Sequence, residues 1–122
     1  MAAQLYYSEP NTTAKVEEIE KYGHASTNLL IKEFYNMGFE KGDMVTAIFD
    51  NGFVLEAPFL DGYYVDKGAP LIRAYPGHEK ITVAINYGEL NKLAEVSEGN
   101  EVSLMMSEPD EYKTQYEIRK LE

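Results

Sequence analysis

Residues 44–60, MVTAIFDNGFVLEAPFL, carry the strongest fold signal in the sequence. A β-branched and aromatic run comes first, Asn51-Gly52 interrupts it, and apolar residues then recur at every second position. Asn-Gly between two such runs is typical of a tight β-hairpin, because both residues tolerate the positive φ that a type I′ turn requires. The stretch therefore predicts an antiparallel pair of strands over 44–49 and 53–60.

Outside this hairpin, short apolar segments alternate with turn residues. Residues 80–86 show the most regular strand alternation, and a second hairpin is predicted around the turn at 22–24. Pro58 lacks the N–H group that a sheet ladder uses, so it indicates an edge strand or a strand end. The remaining predicted elements are strands over 69–75, 102–106 and 114–121 and short helices over 30–37 and 90–96.

These segments predict an all-β chain with two short helices, folded as a small β-barrel or sandwich of about seven strands. Residues 1–13 mix polar residues with two tyrosines without a period, so they are expected to form a flexible leader. Residues 14–122 are expected to form a single β-barrel domain.

The composition limits the function classes. The 122 residues contain no Cys, and 11 Lys and Arg face 21 Asp and Glu, which gives a net charge of -10. Phosphate backbones and anionic lipid surfaces would be repelled, so neither nucleic acid nor a membrane is an expected partner. No signal-peptide pattern stands at the start, and a cytoplasmic location is expected.

The sequence has no motif for metal, phosphate or nucleophilic chemistry. His24 and His78 lie outside any ligand spacing typical of zinc sites, and no calcium loop is present. The glycines are spread singly, without a phosphate-binding string, and no nucleophile elbow occurs. No catalytic residue, metal ligand or cofactor is therefore assigned.

Tyrosines at predicted turns are the remaining candidates for a binding site: Tyr22, Tyr63, Tyr64, Tyr75 and Tyr87. An exposed ring at a turn can stack on a flat heterocycle, and Asn86 at a strand end could read a purine edge with its amide. The alternative is that the rings close the ends of the barrel and that Asn86 only ends a strand. The residue types alone leave both interpretations open.

Five blocks occur in the same order as motifs of a known family. They are residues 19–29 (IEKYGHASTNL), 42–45 (GDMV), 64–68 (YVDKG), 81–90 (ITVAINYGEL) and 97–102 (SEGNEV). In this order they resemble the C-terminal domain of the S-adenosylmethionine hydroxide adenosyltransferase family, which includes the fluorinating and chlorinating enzymes that use S-adenosylmethionine. The similarity runs from about Lys15 to Ser107.

The resemblance implies a small β-barrel that supplies an adenine pocket. By the family's motifs, Tyr22 and Tyr64 would contact or stack on adenine, His24 would replace an adenine-contacting Asn, and Asn86 with Tyr87 would reach the adenine edge. His24 is a departure from the family, because an imidazole cannot reproduce the paired hydrogen bonds of an amide. The implied ligand is adenosine or S-adenosylmethionine.

The resemblance also implies that catalysis requires a second domain. In the family the catalytic residues come from a larger N-terminal domain, and substrate binds between subunits of a homotrimer. This chain alone is therefore expected to bind without catalysing, with a separately encoded catalytic domain or further copies of itself as candidate partners. The alternative is an interaction or assembly barrel that has lost the pocket.

Overall fold

Strands dominate the structure, a computed structural model that describes residues 11–74, 77–107 and 119–121. Within these ranges the elements are, in chain order, β1 (Asn11–Ile19), β2 (Ala25–Leu30), α1 (Ile31–Asn36), β3 (Met44–Phe49), β4 (Val54–Leu60), β5 (Pro70–Arg73), β6 (Lys80–Ile85), α2 (Leu90–Ala94), β7 (Glu101–Met106) and β8 (Arg119–Leu121). The predicted all-β class with two short helices is confirmed.

Seven of these strands form a closed barrel. The order is β3-β7-β1-β2-β6-β5-β4, and the pairing of β4 with β3 closes the ring. Neighbouring barrel strands are antiparallel except β4 and β5, which run parallel. β8 pairs with the first half of β4, outside the ring. Closure removes most of the free strand edges that an open sheet of this size would expose.

Apolar side chains from each of the seven barrel strands fill the interior. The aromatic centre is a stack of Phe34 on Phe39, with ring centroids 3.8 Å apart, and Phe59 meets Phe34 edge-on at 4.7 Å. Phe34 belongs to α1, so this contact fixes the helix over one end of the barrel. The alternation read from the sequence therefore matches the inward face of the strands.

The predicted hairpin over 44–60 is confirmed, but its predicted turn type is wrong. Among the described non-glycine residues only Tyr87 and Glu95 have positive φ, so Asn51 does not, whereas Gly52 has a φ of 94°. The Gly52 N–H donates to the Phe49 carbonyl at 2.9 Å. The connection is a three-residue loop that ends in a left-handed glycine, the second common hairpin solution.

Asn51 has a different role from the predicted one. Its side-chain nitrogen donates to the carbonyls of Ala94 and Glu95, at 2.8 and 3.1 Å, and its side-chain oxygen accepts from the Phe53 N–H at 3.0 Å. These bonds satisfy carbonyls at the end of α2, which a helix terminus leaves without partners. Asn51 therefore fastens α2 to the hairpin.

Pro58 lies within β4, near its end, where the strand changes partner. The Phe59 N–H donates to Asp43 on the β3 side, at 2.8 Å, so the nitrogen of the preceding residue faces the opposite side. On that side β4 pairs with β8 up to Glu56 and with β5 from Phe59. Pro58 therefore lies between the β4–β8 and β4–β5 ladders, so its missing N–H removes no hydrogen bond from either ladder.

Other predicted boundaries shift by a few residues. The hairpin around 22–24 and both short helices are confirmed. β1 begins at Asn11, inside the expected leader, and its first residues pair with β7, so the barrel includes residues 11–13. Residues 1–10 of the expected leader and residues 114–118 of the last predicted strand lie outside the described residues.

The outer face of β5 and β6 is also buried, so their side chains do not simply alternate between the core and the solvent. Leu71 and Ala84 point away from the barrel interior and pack with Leu60 in a second, smaller cluster, against which Val65 rests. The loop that follows β4 therefore folds back over the outer face of β5 and β6. Tyr63 in this loop lies at the surface beside the end of β5. None of the helices in the described ranges is long and apolar enough to span a bilayer.

Candidate ligand-binding cleft

A cleft of about 960 Å³ lies at the end of β5, where Arg73 and residues of the surrounding turns and loops line it. Arg73 of β5 pairs directly with Thr82 of β6, and both face outward because Ile72 and Val83 face the core. The turn after β1, the loop after β4 and the turn after β6 also line the cleft. The volume falls in the range of small-molecule sites.

Four of the five predicted site residues line this cleft: Tyr22, His24, Asn86 and Tyr87. The remaining lining residues are Lys21, Tyr63, Arg73, His78, Gly88 and Glu89. Turns that are distant in sequence meet here because β1, β2 and β6 are neighbours in the barrel. The two segments that the family motifs marked, at 22–24 and 86–87, are thus brought together.

Tyr64, the fifth predicted residue, does not line the cleft. Its ring packs over Gly62, where an added Cβ would lie 2.8 Å from the ring carbons, and 67% of the residue is exposed. Its neighbour Tyr63 lines the cleft instead. Sequence reasoning could not choose between two adjacent tyrosines, because the direction of each ring depends on how the loop folds over Leu71 and Ala84.

His24 is the most buried of the four predicted residues, with only 7% of its surface exposed. Burial lowers the pKa of His24, the positive charge of Arg73 lowers it further, and Glu20 offsets part of the effect. The imidazole is therefore neutral at pH 7, with one donor and one acceptor nitrogen. Its Nδ1 atom is buried and has no hydrogen-bond partner within the described part of the chain.

Arg73 forms the polar floor of the cleft, and the sequence analysis missed it. One guanidinium nitrogen lies 3.1 and 3.2 Å from the two carboxylate oxygens of Glu20, and the other donates to the Tyr63 hydroxyl at 2.8 Å. Burial lowers the pKa of Arg73, but the hydrogen bonds to Tyr63 and Glu20 outweigh it and the pKa rises. The sequence signal that could have indicated Arg73 is an Arg within an otherwise apolar strand, because a buried Arg usually has a charged or polar partner.

Asn86 uses part of its hydrogen-bonding capacity within the protein. Its side-chain nitrogen donates to the Val65 carbonyl at 2.8 Å, and its backbone exchanges bonds with Ala69 and Gly68 at 2.9 and 2.7 Å. These contacts tie the loop after β4 to the end of β6. Asn86 lines the cleft, and its side-chain oxygen and second N–H form no hydrogen bond with the described residues.

Tyr87 is held in a rare backbone conformation at the edge of the cleft. Its φ is 58°, in the left-handed region, while 81% of the residue is exposed. The following Gly88 closes the turn by donating to the Ile85 carbonyl at 3.1 Å. Positive φ at a bulky residue costs free energy and concentrates at functional sites, so Tyr87 is the strained member of the group.

Gly23 joins the two walls of the cleft. Its φ is 89°, and an added Cβ would lie 2.5 Å from the Asn91 Oδ1 atom and 3.0 Å from the Glu89 Cα atom. The Gly23 carbonyl accepts a hydrogen bond from the Asn91 N–H at 3.0 Å. Only glycine permits this approach of the β1–β2 turn to the start of α2.

A second, smaller cleft of about 560 Å³ lies beside the first at the end of β5, where Ala74 follows Arg73, and among the described lining residues the two clefts share only His78. Leu30, Ile31 and Ala74 contribute apolar surface to it, and the exposed pair of Lys41 and Asp61, 2.9 Å apart, lies at its edge. Within the described ranges, no three His, Cys, Asp or Glu side chains lie close enough together to hold a metal ion.

The comparisons with known proteins find a similar fold but indicate no function. No protein-family model matches the chain, and no curated protein matches it. A similar solved structure is described as the crystal structure of an uncharacterized conserved protein from Thermotoga maritima, with a TM-score of 0.71 and 21% identity over 78% of this chain. The match spans 36% of the length of that protein. At this identity the similarity extends to the fold alone.

Proposed function

We propose that this barrel binds a nucleoside or an S-adenosylmethionine-like ligand in the cleft at Arg73, without catalysing a reaction by itself. The observation that carries the proposal is that Tyr22, His24, Asn86 and Tyr87, separated by more than 60 positions at the extremes, line one cleft. An assembly barrel without a pocket would have scattered them.

The chemistry of the cleft supports a flat heterocycle. Tyr22 and Tyr87 are exposed at 67% and 81%, so their rings are open to stacking, which contributes about 1 to 3 kcal/mol per base. The neutral imidazole of His24 and the amide of Asn86 offer donors and acceptors at the more buried end. The Nδ1 atom of His24 has no hydrogen-bond partner among the described residues, and burying it is unfavourable unless a ligand or water supplies one.

The same proposal assigns catalysis to groups outside this barrel. The resemblance to the S-adenosylmethionine hydroxide adenosyltransferases implies that the reacting groups lie in a second domain. A displacement reaction needs a held nucleophile and a site closed to water, whereas this cleft is open along the barrel wall. Binding is thus the part of the activity that the proposal assigns to this barrel.

Isothermal titration with adenosine and with S-adenosylmethionine tests the proposal. Tyr22→Ala should weaken adenosine binding by about tenfold or more, because a stacking ring is lost. Tyr64→Ala is the matched control, since Tyr64 is exposed to the same 67% but lies outside the cleft. An absence of heat at millimolar ligand, or an equal loss in both variants, would overturn the proposal.

The alternative of an interaction barrel has one observation in its favour. Tyr64 is as exposed as Tyr22 but does not line the cleft, and exposed tyrosines are frequent in protein interfaces. This alternative predicts self-association or partner binding that Tyr64→Ala abolishes, measured by light scattering, together with no affinity for adenosine.

A further inference from the structure

The cleft is locally cationic although the chain carries a net charge of -10. Among the described residues, the charged side chains that line it or contact a lining side chain include four cations and two carboxylates. The cations are Lys21, Lys67, Arg73 and Lys92, and the carboxylates are Glu20 and Glu89. Both carboxylates are already bound, Glu20 to Arg73 at 3.1 Å and Glu89 to Lys92 at 3.2 Å.

The two remaining cations lie over the rings that a heterocycle would use. The ammonium of Lys21 is 5.5 Å from the ring centre of Tyr22, and that of Lys67 is 4.9 Å from the ring centre of Tyr87. Neither lysine forms an ion pair within the described part of the chain. Any flat ligand that stacks on either tyrosine therefore has an ammonium group within a few ångströms of its substituents.

We infer that the cleft selects a nucleoside monophosphate over both the uncharged nucleoside and a sulfonium cation, an inference that rests on the proposed nucleoside site and names its ligand class. The base stacks on Tyr22 or Tyr87, and Lys21 or Lys67 turns from the ring face toward the phosphate. A phosphate offers these ammonium groups a stronger partner than the ring does.

The same arrangement disfavours a positively charged ligand. A sulfonium would need a free carboxylate or an aromatic ring with no cation beside it, but Glu20 and Glu89 are paired and each tyrosine ring already has a lysine over one face. It would also lie near the buried Arg73 guanidinium. Like charges at this range oppose binding, and the effect weakens with salt.

Calorimetric titration of the full chain at about pH 7.5 with adenosine, adenosine monophosphate and S-adenosylmethionine tests the inference, first in roughly 20 mM and then in roughly 500 mM salt. The monophosphate should bind about tenfold more tightly than adenosine at low salt, or about 1.4 kcal/mol. S-Adenosylmethionine should bind more weakly than adenosine. At high salt the three affinities should converge to within about threefold.

Two variants separate the lysines of the cleft from general surface charge. The double variant Lys21→Gln, Lys67→Gln should bring the ratio of monophosphate to adenosine affinity close to one. Lys32→Gln, which removes an exposed lysine at the second cleft, should leave the ratio as it is.

The outcomes distinguish the inference from the function on which it rests. If adenosine binds and the monophosphate binds no more tightly, or if the double variant keeps the wild-type ratio, the inference is wrong and the nucleoside site stands. If neither adenosine nor either charged ligand binds, both are wrong.

Discussion

Two tight turns of the barrel solve the same backbone problem with different residues. The loop between β3 and β4 needs one left-handed residue and uses Gly52, with a φ of 94° and open space around the position of a Cβ. The turn after β6 needs one as well, yet it uses Tyr87, with a φ of 58°, although Gly88 is the next residue. The first turn serves only the fold, whereas the second projects an aromatic ring over the cleft.

The difference shows where local strain and function coincide. Glycine is the residue with the least cost at positive φ, so a tyrosine at such a position requires another reason for its presence. Tyr87 is 81% exposed and therefore contributes little to the core. The strain is consistent with the proposed role of the ring in ligand binding.

The largest expected effect compares Gly23, at the cleft, with Gly52, at the hairpin. Gly23→Ala should lower the free energy of unfolding by about 3 kcal/mol, because the methyl group combines positive φ with overlap against the backbone of Glu89. Gly52→Ala should cost only about 1 kcal/mol, since it has the φ cost without any neighbour within 4 Å. Urea unfolding measures both, and equal losses would contradict the close approach at Gly23.

The fold was predictable from the sequence to a large extent, because it follows from alternation and turn residues. The hairpin over 44–60, the turn at 22–24 and the two helices were predicted close to their observed positions. The turn type at Asn51 was not predicted correctly. It depends on α2, because the carbonyls at the end of that helix accept hydrogen bonds from the Asn51 side-chain amide. Such a contact between segments more than 40 residues apart leaves no local pattern.

The candidate site was predictable only in part. Tyr22, His24, Asn86 and Tyr87 were identified through the family resemblance, and the structure places them in one cleft. Arg73 was missed because its strand looks like an ordinary core strand, and its outward direction depends on register with β6. The choice between Tyr63 and Tyr64 depends on a loop held by Asn86, which sequence patterns do not encode.

A smaller effect of opposite sign is expected at Tyr87 and Glu95, the two non-glycine residues with positive φ in the described part of the chain. Tyr87→Gly should raise the free energy of unfolding by about 1 kcal/mol, because it relieves positive φ, and it should weaken nucleoside binding through loss of the ring. Glu95→Gly is the control: Glu95 has a φ of 56° at the end of α2, outside the cleft. It should give a similar gain in stability with unchanged ligand affinity.

That pair separates strain kept for binding from strain kept for the fold. Thermal unfolding and adenosine titration on both variants provide the two readouts. A Tyr87→Gly protein that is less stable than wild type, or that binds adenosine equally well, would contradict the assignment of the ring to the site.

The smallest expected effect is a pH dependence of stability that distinguishes the cleft from the rest of the barrel. The pKa of His24 is lowered from 6.5 by burial and by Arg73, while Glu20 offsets part of the shift and Tyr63 lies beside the ring. The unfolded chain therefore binds a proton on His24 more readily than the folded chain does. The stability from neutral His24 is fully present above about pH 6.5 and is lost as the pH falls toward the lower folded pKa.

Urea unfolding between about pH 5 and 8 should show this loss in wild type and in His78→Gln, which retains His24, and a flatter profile in His24→Gln. A profile of equal slope in His24→Gln would mean that the buried imidazole is not the group that titrates.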